Sequence, residues 1–269
     1  METNKQAVKD FWNEASCGEE LYLKGDDERQ AFNNQAEKRY QLEPYIIPFA
    51  GFDASKAKKV LEVGVGLGAD HQRFAASGAN LFGIDITERA ITNTGRRLSL
   101  FGLSSKLQVA DAEQLPFENN AFDVVYSWGV IHHSPNTPKA ITEIYRVLKQ
   151  GGEAKIMIYH TKSFVGYMLW LRYGLMALKP FTSLATIYSK YLESPGTKAY
   201  TTKQAKELFK GFTRVQIETV LTHGDLLSSD AGQRHKGVLL TVARKLFPRA
   251  LIKIFFPKHG LFMLIRAIK

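Results

Sequence analysis

Between Ala57 and His160, short runs rich in Val and Ile alternate with amphipathic stretches, and no other feature of this 269-residue chain restricts its fold as tightly. The apolar runs are KKVLEVG, NLFGIDI, SKLQVADA, FDVVYSW and EAKIMIYH; between them lie DHQRFAAS, TERAITNTGRRLSLFG and PKAITEIYRVLKQGG. Hairpins cannot join strands separated by segments of that length, so the chain returns through helices and the strands pair in parallel. Thr213 to Thr222 reads as a sixth strand and Gly260 to Lys269 as a final one. The expected fold class is α/β: a Rossmann-like, seven-stranded, doubly wound sheet, mostly parallel with a reversed last strand and a helical insertion after strand 5. Sheets of this kind bind ligands beyond the carboxyl ends of their strands.

The flanking regions suggest how the chain is divided. Residues 1–50 read as a polar, helical N-terminal cap, and residues 51–269 as one domain carrying two insertions. The first, 161–200, is helical and aromatic, and is expected to act as a lid. Its side chains Phe164, Tyr167, Met168, Trp170, Tyr173 and Met176 would wall a pocket suited to an apolar or aromatic molecule, or else simply pack as core. The stretch Phe164 to Leu178 is too short for a comfortable bilayer crossing and carries Arg172, so it reads as a buried or lid helix. The second insertion, 224–259, is basic and amphipathic. The formal charge is +10, yet no acidic residue follows Asp230, while nine Lys and Arg do. Most of the positive charge is therefore local, which points either to a membrane surface or acidic partner at that end, or to an ordinary solvated helix. Cys17 is the only cysteine, which excludes an internal disulfide or a cysteine-based zinc cluster and makes a cytoplasmic setting the default. The N-terminus lacks the apolar core of a secretory signal.

The chemistry gathers at the strand ends. The first strand runs through Glu62 into Gly64, Gly66 and Gly68 before a helix begins. Glycines there let the backbone approach a ligand, and the free N–H groups of the helix start favour a negative group. The same run fits the dinucleotide fingerprint G-x-G-x-x-G/A, so a nicotinamide cofactor competes as an explanation. Asp85, ending the second strand, stands where a carboxylate accepts ribose hydroxyls, which both readings require. Asp111 and Ala112 follow the third strand and offer a carboxylate and a backbone N–H to an adenine edge. Either aspartate could instead cap the turn that follows it. The fourth strand ends at Ser127 and Trp128 and empties into Gly129 to Pro135, with His132 and His133 among them.

Taken together, VLEVGVGLG, GIDIT, DAEQLPFENNAFDVVYSWGVIHH and ITEIYRVLKQGGEAKIMIYH resemble the class I S-adenosylmethionine-dependent methyltransferases, and are most similar to the branch containing the ubiquinone and menaquinone biosynthesis enzymes. The resemblance covers roughly residues 57–160. It implies that Glu62, Gly64, Gly66 and Gly68 hold the amino-acid end of S-adenosylmethionine, Asp85 the ribose and Ile86 one adenine face. Asp111 and Ala112 would read the adenine edge, with Ser127 and Trp128 near the sulfonium. The two insertions match no quinone-pathway pattern.

Methyl transfer asks a protein mainly to align the acceptor and exclude water, with a base only where the acceptor must lose a proton. His132, His133, Tyr159 and His160 are the candidates, since all follow strands that end at the expected mouth. At least one of the adjacent histidines is expected to be structural. No metal is expected. Tyr145 and Lys149 imitate a dehydrogenase motif, but on a helix that leads away from that mouth. The expected function is methylation of a small acceptor, apolar, aromatic or amphipathic and acidic. The alternatives are an NAD(P)-dependent oxidoreductase and a noncatalytic S-adenosylmethionine-binding protein. Nucleic acid is disfavoured as a partner, because no RNA-binding module is recognisable and the fourth strand lacks the motif that grips a flipped adenine.

Overall fold

A computed structural model describes residues 5–16, 18–19, 23–229 and 247–269. Cys17 and the basic residues Arg234, Lys236, Arg244 and Lys245 lie outside the described residues. The chain begins with helices α1 (Lys5–Glu14), α2 (Glu28–Leu42) and α3 (Ile46–Ala50). The alternating region follows as β1 (Lys59–Val63), α4 (Ala69–Ala76), β2 (Asn80–Asp85), α5 (Glu88–Leu100), β3 (Lys106–Val109) and β4 (Phe122–Trp128). It closes with α6 (Thr137–Val147) and β5 (Leu148–Tyr159). Beyond lie α7 (Phe164–Trp170), a π turn (Leu171–Leu175), α8 (Leu184–Tyr191), α9 (Thr202–Leu208), β6 (Arg214–Val220), α10 (Arg249–Phe255) and β7 (Phe262–Ile268).

The seven strands form one sheet in the order β3-β2-β1-β4-β5-β7-β6. The first five pair in parallel, whereas β7 inserts antiparallel between β5 and β6, so the reversed last strand expected from the sequence is present. Strand order reverses between β1 and β4, and their diverging crossovers open a crevice at the carboxyl ends there. Central strands read as continuous apolar runs because helices cover both faces. Leu61, Val125, Ile156 and Ile265 pack with Ile141 and Ile144 of α6 on one side, while Val60, Tyr126 and Met157 pack with Phe49, Phe52 and Phe74 on the other.

One expectation fails in detail. Phe164 to Leu178 is not a single buried helix: α7 gives way to the π turn at Leu171, and Leu175, Met176 and Leu178 are exposed. The aromatic side chains of the insertion find each other or nearby backbone, Tyr173 stacking on Tyr191 with centroids 3.9 Å apart and Trp170 Nε1 donating to the Thr182 carbonyl at 3.0 Å. Among the described residues no helix is long and apolar enough to cross a membrane.

Candidate active site

The turn after β1 bends through three residues with positive φ: Gly64 at 84°, Gly66 at 52° and Gly68 at 74°. At Gly64 an added Cβ would stand 2.1 Å from Val130 Cγ2, so only glycine lets the β4 loop close onto β1. At Gly66 an added Cβ would meet nothing within 4 Å, and its backbone faces a cleft. The Gly66 N–H donates to Asp85 Oδ2 at 3.2 Å, while Asp85 Oδ1 accepts from the Thr87 N–H at 3.0 Å and its hydroxyl at 2.9 Å. Burial raises the Asp85 carboxyl above its ordinary range against the pull of these donors. Ile86, Asp111, Ala112 and Trp128 border the same cleft, as do Glu62, Gly64 and Gly68, so one cavity gathers nearly the whole predicted set. Ser127 is the exception. It is fully buried and does not border the cleft, and among the described residues its hydroxyl lacks a hydrogen-bond partner.

Glu62 behaves differently from a simple anionic ligand. Its Oε2 lies 2.8 Å from His71 Nδ1, and His71 Nε2 lies 2.8 Å from Ser105 Oγ. The Ser105 hydroxyl donates to the Leu81 carbonyl at 2.9 Å, so it accepts from Nε2–H, and Nδ1 is left as an acceptor. With the imidazole neutral, Glu62 then carries the shared proton. Burial agrees, pushing the Glu62 carboxyl well up, with nearby Asp70 adding to it, and driving His71 down to about 3.

The cleft has a wall that the sequence reading placed elsewhere. No residue of 161–200 lines it; Lys5, Val8, Trp12, Gln35 and Arg39 do. The physical cause is a set of polar anchors that tie the N-terminal segment to the sheet domain. Arg97, fully buried, donates to Gln72, Gln35, the Phe32 carbonyl and the Leu67 carbonyl, tying α2 to the glycine turn. Arg39 grips Asp70 through Nε at 3.1 Å and Nη2 at 2.7 Å, and the hydroxyls of Tyr40 and Tyr126 complete the carboxylate's shell. Burial alone would raise Asp70, but Arg39 and these hydroxyls hold it below its ordinary value. Lys5 reaches across to Asp111 at 2.5 Å and Glu113 at 2.9 Å, so α1 closes over the very carboxylate expected to read a base. The spacing of Val8 and Trp12, four apart on one helical face, was the available signal.

Beyond Trp128 the expected proton-handling residues separate. His132, His133 and Tyr159 come together, with ring centroids 4.2 Å apart for the two histidines and 4.0 Å for His132 and Tyr159. His133 also borders the cleft and meets Trp12 edge to face at 5.3 Å. His160 does not join them; its Nδ1 lies 3.2 Å from the Gly260 carbonyl, and burial lowers its pKa. Glu193, which the sequence reading missed, does: Tyr159 donates to its Oε2 at 2.7 Å, and His133 Nε2 is 3.3 Å from the same oxygen.

Comparison with known proteins agrees with this geometry. Residues 61–156 match the methyltransferase domain family. The chain is 31% identical over 141 residues to phosphoethanolamine N-methyltransferase 2 of Caenorhabditis elegans, covering 49% of this chain and 32% of that protein. It is 36% identical over 113 residues to sterol 24-C-methyltransferase of Pneumocystis carinii, covering 41% and 29% respectively. The chain thus spans about a third of the length of these curated relatives. A solved phosphoethanolamine N-methyltransferase 2 of Haemonchus contortus, in complex with phosphomonomethylethanolamine and S-adenosylhomocysteine, superposes with a TM-score of 0.61 at 16% identity, covering 97% of this chain and 60% of that one. Residues 61–156 are therefore similar to the methyltransferase domain family, set within an α/β Rossmann-like methyltransferase fold.

Proposed function

We propose that this chain transfers a methyl group from S-adenosylmethionine to a small amphipathic acceptor. The observation that carries the reading is the convergence of Gly66, Asp85 and Asp111, from three strand ends, on one cleft. The residues fit the donor: open space at Gly66 admits the backbone-facing part of a ligand, and Asp85 offers acceptor capacity to ribose hydroxyls. Glu62 and the glycine turn would hold the amino-acid end, Asp111 and the Ala112 N–H the adenine edge, and Trp128 the sulfonium side. S-adenosylmethionine supplies a carbon already activated by positive sulfur. The chain's own work is alignment and exclusion of water, with α1 drawn over the cleft by Lys5. Where the acceptor must lose a proton, His133, bordering the cleft, takes it. The motif likeness to quinone-pathway enzymes carries no quinone into this cleft.

Support for an amphipathic acceptor comes from the surface beside α7. Phe181 is 100% exposed, Leu178 90%, Ile254 69% and Phe255 67%, and contact of Phe164 with Phe256 at 5.9 Å joins the two segments that bear them. Arg172, Lys179, Arg249, Lys253 and Lys258 lie in the same segments, which contain no acidic residue. Large apolar side chains ringed by cations complement an anionic lipid surface, from which an amphipathic acceptor would enter.

The test supplies methyl-labelled S-adenosylmethionine to the protein with a lipid and small-metabolite extract. One extractable product should gain the label, and Asp85→Ala should reduce the gain at least tenfold. No labelled product from any fraction would leave a noncatalytic binding protein.

A further inference from the structure

His132 is fully buried, and among the described residues both its ring nitrogens lack a hydrogen-bond partner. A neutral imidazole carries one donor and one acceptor, and a folded interior normally satisfies both. Here neither is met, although carboxylate and hydroxyl groups lie in the same cluster. His133 Nε2 is in a similar position: 3.3 Å from Glu193 Oε2, yet not aligned for a hydrogen bond. One nitrogen from each histidine and one carboxylate oxygen of Glu193 all lie within 4.8 Å of one another. We infer that His132, His133 and Glu193 form a binding site for a divalent transition-metal ion of the zinc class, at the edge of the methyl-donor cleft.

The chemistry of the three groups fits such an ion. Two imidazoles and one carboxylate suit Zn²⁺ and its first-row neighbours, with metal–ligand distances of about 2.0–2.2 Å. The three atoms need draw in only by roughly a side-chain tilt to share one centre at those distances. The neutral imidazole is the ligating form. The outer contacts also have the form that metal ligands show. Ser194 Oγ at 2.8 Å and Thr197 Oγ1 at 3.1 Å engage His133 Nδ1, which directs Nε2 inward, and the Tyr159 hydroxyl anchors Glu193. Three protein ligands leave a coordination position open, and His133 borders the cleft. An acceptor oxygen, nitrogen or sulfur could occupy that position; a His133 that ligates the ion is no longer a base, and the ion itself would then favour loss of the acceptor's proton. Ion binding stands without the methyl-transfer reading, whereas this use of the ion rests on it. The site departs from the metal-free chemistry expected from the sequence, because Glu193 lies 60 residues beyond His133 and no short spacing announces the trio.

The experiment strips the full chain with a chelator, then titrates it with Zn²⁺ and, separately, Co²⁺, in the absence of S-adenosylmethionine. One Zn²⁺ should bind per chain, and Co²⁺ should give a visible absorption band that Zn²⁺ abolishes. X-ray absorption at the zinc edge should show nitrogen and oxygen ligands with imidazole scattering. Glu193→Gln, which keeps the side chain's shape, and His132→Asn should each weaken Zn²⁺ at least tenfold, while His160→Gln should not. Circular dichroism checks that each variant is folded. Absence of stoichiometric Zn²⁺ binding, or Glu193→Gln binding Zn²⁺ as tightly as the unaltered chain, overturns the inference. Calorimetry with S-adenosylmethionine on the stripped protein keeps the two readings apart: donor binding without zinc binding sinks only the metal site.

Discussion

The two halves of the sheet edge differ in how completely their polar atoms are satisfied. Around the glycine turn, Asp85, Asp70, Arg97 and the Glu62–His71 pair all have specific partners, several of them buried. Across β4, among the described residues, His132 has no hydrogen-bond partner, His133 Nε2 is misaligned, the Tyr45 hydroxyl is shut away without one, and Glu43 Oε2, without a hydrogen bond, lies 3.6 Å from the Arg39 guanidinium. A buried polar group with its bonds made costs little, whereas one left bare is expensive. The first half is therefore preorganised by the chain itself, whereas the second leaves bare the buried nitrogens that the proposed ion site would use.

The contrast breaks first at Gly64. Gly64→Ala combines positive φ with a clash against Val130, and should cost about 3 kcal/mol in urea unfolding. Adding Val130→Ala should restore part of the loss by relieving the clash. A Gly64→Ala protein of unchanged stability would mean that the turn is not rigid.

Glu43 probes the other half. Burial raises its pKa to about 7 from the ordinary 4.5, with Arg39 opposing and Asp70 adding to the rise. The folded protein then holds a proton that the unfolded chain has lost, so stability declines as pH rises from 4.5 through 7, by up to about 3 kcal/mol. Glu43→Gln should flatten the difference in stability between pH 5 and pH 8. If the variant keeps the full difference, the carboxyl is not the cause.

Asp85→Ala should weaken donor binding by about 1–3 kcal/mol, measured by calorimetry, because two groups it organises, Gly66 and Thr87, border the cleft. Glu62 sharpens the same region. A neutral Glu62 facing the donor's ammonium should ionise on binding, so the heat of binding should vary with the buffer's ionisation enthalpy, and in Glu62→Gln that dependence should vanish. The smallest effect on stability belongs to the exposed segments, where Phe181→Ser and Ile254→Ser should change unfolding by less than about 0.5 kcal/mol. The same pair should reduce co-sedimentation with anionic vesicles severalfold, and unaltered sedimentation would remove the lipid surface from the account.

The sequence exposed the preorganised half far better than the other. Glycine-rich turns and acidic strand ends are short-range signals, so Gly66, Asp85 and Asp111 could be placed from the alternation alone, and the reversed strand was also expected. Contacts made across the fold were hidden. Lys5 meets Asp111 across 106 positions, and nothing local marks it. Glu193 sits in an insertion whose aromatic residues drew attention to themselves, yet they pack together while α1 walls the cleft. Asp70 was nearer to being legible, because it opens the helix directly after the glycine turn, but its importance depends on Arg39 and Tyr126 arriving from elsewhere.

Titration of the purified chain with S-adenosylmethionine and, in parallel, with NAD bears most directly on the cleft. One S-adenosylmethionine should bind saturably per chain, unaffected by added NAD. Preferential binding of NAD, or no heat from S-adenosylmethionine, would contradict it.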